Sequence, residues 1–203
     1  MARPQAFNES LVVSRAIECF WTKGYSEASL ADLLSAMKIS RSTFYNSFGD
    51  KRQLFELCLQ TYSKQAQQII SMTLLNDKTS VFEAIKQFFY VVLVAPDLTL
   101  SARGCFLVNS ITETAEVNDE LHQLAIDLIQ PVKLGLIYQL RRVFSVELSN
   151  QHGEWLFTQL LGWRLQCQVG LPKDVLEQQI NWSLLQLETE LESQTNNLTP
   201  RLA

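Results

Sequence analysis

Between positions 41 and 51, six side chains with hydrogen-bond donors or positive charge stand out: Arg41, Ser42, Thr43, Tyr45, Asn46 and Lys51. Spacing decides whether they can act together. At about 100° per residue, Phe44 and Phe48 mark one side of a helix, and Ser42 and Asn46 lie nearly opposite. Thr43 and Tyr45 flank that outer side, and Arg41 sits in the first turn. Asn can bond adenine bidentately, Arg can do the same to guanine, and a Thr methyl can touch the thymine methyl. A face of this composition suits base edges and phosphates in a major groove. The other reading is an ordinary solvated helix, and the outer residues alone leave both open.

The elements that would hold this face are legible on either side. Residues 29–48 read as two short helices around a tight turn. Ser29 can cap the first, with Asp32 placed to reach back in a capping box. Leu30, Leu33, Leu34 and Met37 follow at helical spacing and give one apolar face. Ser40 can cap the second helix, and Ile39 before it can staple onto Phe44, setting the angle of entry. A helix-turn-helix needs such an angle to aim its second helix into a groove. Gly49-Asp50-Lys51 then opens another helix, with Asp50 as cap and Gln53 at the capping-box position. Lys51 stands at that helix start, where a cation can hold a phosphate, and Arg52 adds a second charge. Arg3 lies in an amino-terminal arm that either reaches a minor groove or is an incidental charge.

From about residue 8 to residue 66 the chain resembles the DNA-binding domain of the TetR family of bacterial transcriptional repressors. The resemblance rests on Lys23-Gly24-Tyr25, the capped run from Ser29 to Met37, then Ile39 through Phe48, Gly49-Asp50-Lys51 and Leu54-Phe55. It implies that Tyr45 and Lys51 hold phosphates and that Arg41, Ser42, Thr43 and Asn46 read bases, with Ser29 also on the DNA side. One position departs from the pattern. Lys38 stands where the turn usually carries Gly, and a non-Gly residue in the left-handed conformation costs about 1 kcal/mol or more. Either the turn is remodelled or Lys38 is a further phosphate contact.

A net charge of −4 speaks at first against a nucleic-acid partner. Its distribution removes the conflict. Residues 1–52 hold seven Lys or Arg against five Asp or Glu, while the remainder holds ten against sixteen. The acidity therefore lies in the part not expected to touch DNA. An excess of two is modest, so a single copy should bind weakly at physiological salt, and dimerisation would double the contacts. The amino end shows no secretory signal, and the longest apolar run, 88–95, is far short of the ~20 residues that span a bilayer. A cytoplasmic protein without membrane attachment is expected. Cys19, Cys58, Cys105 and Cys167 have no metal-type spacing, and His122 and His152 are isolated. No catalytic constellation, metal site or cofactor-binding loop is legible, so an enzyme is not expected.

The fold class is all-α, with about nine helices: an amino-terminal helix-turn-helix domain at 6–66 and a carboxy-terminal effector-binding and dimerisation domain at 77–195. The periodicity predicts helices over 8–23, 51–72, 80–95, 104–110, 118–144, 151–169 and 173–192. Pro131 should kink or divide the fifth of these. Leu176, Ile180, Leu184, Leu187 and Leu191 form an apolar stripe, and Trp155 belongs to a broadly apolar helix before it. These residues are the expected homodimer interface, by which a two-fold protein matches a palindromic operator. The alternative is that they pack within one chain.

Cys105 follows Gly104 near a helix start, two residues from Arg103, where both influences favour the thiolate. This stretch resembles a Gly-Cys motif of a TetR subgroup whose members respond to electrophiles and oxidants. A buried cysteine acting as a small hydrophobe is the other reading. Phe88, Phe89, Val92 and Trp163 could instead line a pocket for a small organic effector, or serve as core. The expected function is a homodimeric repressor released from double-stranded operator DNA by a ligand or by modification of Cys105. The alternative is a helical interaction module whose helix-turn-helix reads no DNA.

Overall fold

The computed structural model describes residues 8–94 and 103–198, and among these residues no strand is present. Nine α-helices follow one another there: α1 Glu9–Lys23, α2 Leu30–Met37, α3 Arg41–Phe48, α4 Lys51–Met72, α5 Val81–Phe89, α6 Phe106–Thr114, α7 Asp119–Leu140, α8 Val146–Gln168 and α9 Lys173–Leu198. The all-α class read from the sequence is the observed one. Two compact units divide the chain. One comprises residues up to Gln65 together with Cys105–Ile129; the other comprises Ala66–Gly104 and the residues from Gln130 onward.

The first unit is organised by short helices with explicit stops. Asn8 caps α1 by accepting from the Leu11 amide, and Gly24 ends it at φ 84° with its N–H on the Phe20 carbonyl. A left-handed exit of this kind is open to Gly at little cost. Val12, Val13, Ala16, Ile17 and Phe20 are buried from α1, and Leu54, Phe55, Cys58 and Leu59 from α4. Phe106 of α6 joins them, its ring 5.7 Å from Phe55, 5.6 Å from Tyr62 and 6.0 Å from Trp21. Such edge-to-face and tilted pairs add directional preference to the area they bury.

In the second unit the core is continuous from the end of α4 through α9. Ile70, Leu74, Ile85, Phe88, Phe89, Leu136, Leu140, Leu156, Leu160 and Trp163 belong to it. One buried amide is paired through both its nitrogen and its oxygen: Gln139 donates to the Leu74 carbonyl at 2.6 Å and accepts from Arg142 at 2.7 Å. A buried amide left unpaired would be destabilising, so this pairing fixes α7 against the end of α4. His152 near the start of α8 lies 3.3 Å from Glu190 near the end of α9, which sets these two helices antiparallel.

Several helix boundaries differ from the sequence reading: α6 runs on to Thr114, α7 stops at Leu140 and α9 continues to Leu198. Pro131 does not divide α7, which continues from Asp119 to Leu140; the missing N–H removes one rung, and packing on both sides holds the rest. α8 begins five residues early because Ser145 caps it, accepting from the Leu148 amide at 3.3 Å. α5 stops at Phe89, and the following turn, Tyr90–Val94, is π-helical. Arg3 lies outside the described residues.

Candidate nucleic-acid interface

Each end of the helix-turn-helix is closed by its own residues. The Ser29 hydroxyl accepts from the Asp32 amide at 3.2 Å, and Asp32 accepts from the Ser29 amide at 3.0 Å, completing the capping box. Lys23 donates to the same carboxylate at 2.5 Å. Lys23 and then Ser29 hold the Asp32 carboxyl at about 2, well below the usual carboxylate range. Between the helices Lys38 adopts φ 56°, ψ 45°. It is the one non-glycine residue at positive φ among the described residues. The turn is therefore not remodelled: lysine takes the left-handed conformation that glycine would occupy, and its exposed ammonium is carried on strained backbone.

Ser40 caps α3, its hydroxyl accepting from the Thr43 amide at 3.1 Å. The Ser42 and Thr43 hydroxyls each lie 2.9 Å from it, so all three oxygens cluster at the start of the helix. Behind them Phe44 is 1% exposed and Phe48 6%. On the opposite side Arg41, Ser42, Tyr45 and Asn46 are exposed, and Thr43 is half-buried. The Tyr45 ring stands edge-on to Phe44 with centroids 5.4 Å apart, which splays the phenol outward. The geometry thus gathers five of the residues picked from the sequence on one short helix with the predicted inside and outside. Ser29 lies apart from them at the start of α2.

Lys51 opens α4. Its ammonium donates to the Ser26 carbonyl at 3.1 Å and sits 4.9 Å above the Tyr25 ring. An ammonium has three donors, so one acceptor and an aromatic face leave donors for a phosphate. Gly49 before it has φ 72°, and a Cβ there would fall 1.7 Å from Gln53 Oε1. The glutamine is folded back over the turn, and its flexible end could swing aside, so it is the positive φ that favours glycine here. Asp50 completes the junction by accepting from the Gln53 amide at 2.8 Å. Arg52 departs from its expected role as a second phosphate cation: it pairs with Glu56 at 2.9 Å and with Glu120 of α7. Those carboxylates were too distant in sequence, or too ordinary, to signal the pairing beforehand.

Other residues singled out in the sequence fall elsewhere. Leu176 is 2% exposed, Ile180 0%, Leu184 5% and Leu187 3%. Leu191 and Trp155 are half-buried against the same core. Leu176, Ile180, Leu184 and Leu187 are thus packed inside their own chain, which removes these four from the expected dimer surface. The outward apolar side chains of α9 are Trp182 and Leu185, and those of α8 include Leu165, with Val169 exposed just past its end. Phe88, Phe89 and Trp163 are core residues, Phe89 meeting Trp163 edge-on at 5.2 Å, and Val92 packs against them. Cys105 is the N-cap of α6 and is half-buried. The Tyr62 hydroxyl donates to its sulfur at 3.8 Å. Among the described residues no group of His, Cys, Asp or Glu could hold a metal ion, and no helix is long and apolar enough to cross a membrane.

Residues 12–58 match the family of bacterial regulatory proteins named tetR. An uncharacterized HTH-type transcriptional regulator of Bacillus subtilis, YezE, is 36% identical over 121 residues, covering 60% of this chain and 62% of its own length. The HTH-type transcriptional repressor ComR of Escherichia coli is 29% identical over 110 residues, 54% of this chain and 52% of that protein. The chain thus spans between half and two thirds of the length of these curated relatives. Among solved structures, a cysteine mutant of the TetR family regulator CifR, complexed with a 26-base-pair operator, superposes with a TM-score of 0.72 at 22% identity. That match covers 90% of this chain and 98% of the other. The regulatory protein TetR from Rhodobacter sphaeroides gives a TM-score of 0.75 at 15% identity, covering 87% and 96%.

Proposed function

We infer that this chain, which carries the tetR family's amino-terminal region on that family's fold, is a sequence-specific DNA-binding transcriptional regulator acting as a homodimeric repressor. One observation carries the reading. α3 is anchored from behind by Phe44 and Phe48 while Arg41, Ser42, Tyr45 and Asn46 face away from the fold. Arg41, Ser42, Thr43 and Asn46 are assigned to bases, and Tyr45, Lys51 and Ser29 to the phosphate backbone. Strained Lys38 joins the backbone contacts. The relative ComR bears the name repressor, which favours that sign of regulation.

Pairing of two copies is assigned to the outer faces of α8 and α9. Thr158, Gly162, Leu165 and Val169 are exposed at spacings of four, three and four, as are Gln178, Trp182, Leu185 and Thr189. Neither stripe carries a charge, which fits helices packing against their twins. The operator is accordingly a palindrome whose half-sites meet two α3 helices. Release follows when an effector favours a state with mismatched heads, which requires different affinities for the two states. The effector is either a small organic molecule or a reagent that modifies Cys105, the half-buried residue at the start of α6.

The test is a salt titration of binding to a duplex selected from a random library. Lys51→Ala is expected to weaken binding to selected and random duplexes alike and to lower the salt slope by about 1 per subunit. An unchanged slope would remove Lys51 from the backbone contacts.

A further inference from the structure

We propose that Glu113, on the last turn of α6, is a positioning residue for Lys51 and for the turn that joins α1 to α2. One oxygen of its carboxylate accepts from the Ser26 amide at 2.8 Å. The carbonyl of that same residue, Ser26, accepts from the Lys51 ammonium at 3.1 Å. A single residue of backbone thus links a carboxylate 87 positions away in sequence to the lysine at the DNA-facing junction.

A second observation shows that the carboxylate has a built seat. Gly24 has φ 84°, and a Cβ there would lie 2.6 Å from the nearer Glu113 oxygen and 3.0 Å from its carboxyl carbon. The notch left by the missing side chain is filled by Glu113. Residues 24–28 form a closed turn, with the Ala28 amide on the Gly24 carbonyl at 3.2 Å, a bond that leaves the Ser26 amide unused. Glu113 gives that amide an acceptor. α6 belongs to the same compact unit as the helix-turn-helix, and His122 of α7 binds the Ile111 carbonyl at 2.9 Å, which steadies the helix carrying Glu113.

Holding Ser26 fixes where the Lys51 acceptor stands, and the Tyr25 ring adds a second contact to the ammonium at 4.9 Å. A lysine so held has lost much of its side-chain freedom before DNA arrives. Its contact with a phosphate then carries a smaller ordering penalty. Without Glu113 the turn relaxes and Lys51 must be ordered on binding.

The proposal rests on the phosphate role assigned to Lys51 above, and the experiment separates the two. Binding of Glu113→Ala, Glu113→Gln, Lys51→Ala and the double variant Glu113→Ala/Lys51→Ala is measured on a library-selected duplex, with a thermal melt of each. Glu113→Ala should weaken binding about fivefold to tenfold, the cost of ordering one long side chain on binding. Glu113→Gln, which keeps an acceptor oxygen, should stay within about twofold of the parent on the same scale. In the Lys51→Ala background the alanine at 113 should add almost nothing, because the two act as one unit. Parent-like binding by Glu113→Ala, an equal loss with glutamine, or an undiminished loss in the Lys51→Ala background would each overturn the link. Affinity losses that simply track the melting temperatures would overturn it too. If Lys51→Ala itself binds normally, the phosphate role is gone and the proposal goes with it.

Discussion

Phe44→Ala is expected to destabilise the amino-terminal unit by about 3–5 kcal/mol and to abolish DNA binding. α3 has only eight residues, too few to persist alone in water. Its orientation comes from two rings on one side, and Phe44 is the more deeply buried of them at 1% exposure. Truncation leaves a cavity between α3 and the helices beneath it and removes the edge-on contact that turns Tyr45 outward. Urea unfolding of the variant checks the loss, read as a fall in midpoint at unchanged slope. Tyr45→Ala supplies the contrast. That side chain is 51% exposed, so its removal should change stability by no more than about 0.5 kcal/mol. A loss under about 1 kcal/mol for Phe44→Ala would mean that the ring does not fasten the helix, since buried Phe→Ala changes fall well above that.

The second large effect is expected at the opposite end of the chain. Trp182→Glu combined with Leu185→Glu should convert a dimer into a monomer. Trp182 is 61% and Leu185 54% exposed, an unusual state for such large apolar side chains on adjacent turns. Burying each against a second copy contributes about 1.5–3 kcal/mol, and two glutamates per subunit would place four charges in one apolar interface. Two linked heads bind a palindrome about 100-fold or more tightly than one, because the second contact becomes intramolecular. The double variant should lose that factor while keeping its helix content. Sedimentation equilibrium checks the assembly and a binding titration the affinity. A variant that remains dimeric would move the interface elsewhere.

Local chemistry made part of this structure legible in the sequence. Ser29 with Asp32, Ser40 with Thr43, and Gly24 after Lys23 act over three or four residues, so their spacing shows what they bind. Phe44 and Phe48 define the inner side of α3 for the same reason. What escaped the sequence depended on distance or on a choice between two faces. α9 is apolar on more than one side, and the periodicity of Leu176, Ile180, Leu184 and Leu187 cannot say whether its partner is its own chain or another. The structure buries those four and leaves Trp182 and Leu185 outside. Arg52 looked like a free cation until α7 brought Glu120 beside it. Glu113 gave no signal at all, since its partner Ser26 belongs to a turn far earlier in the chain. Pro131 misled in the other direction, because a helix packed along its length tolerates one missing amide bond.

Phosphate contacts and base contacts make different demands on α3, and Asn46 separates them. Selecting bound duplexes from a random pool, with the parent and with Asn46→Ala, tests the reading of α3 most directly. The parent should enrich a palindrome with half-sites about one helical turn apart. Asn46→Ala should keep the palindrome but lose preference at one base pair in each half-site, worth about 1–3 kcal/mol there. No enriched sequence for the parent, or an unchanged preference in the variant, would contradict the account.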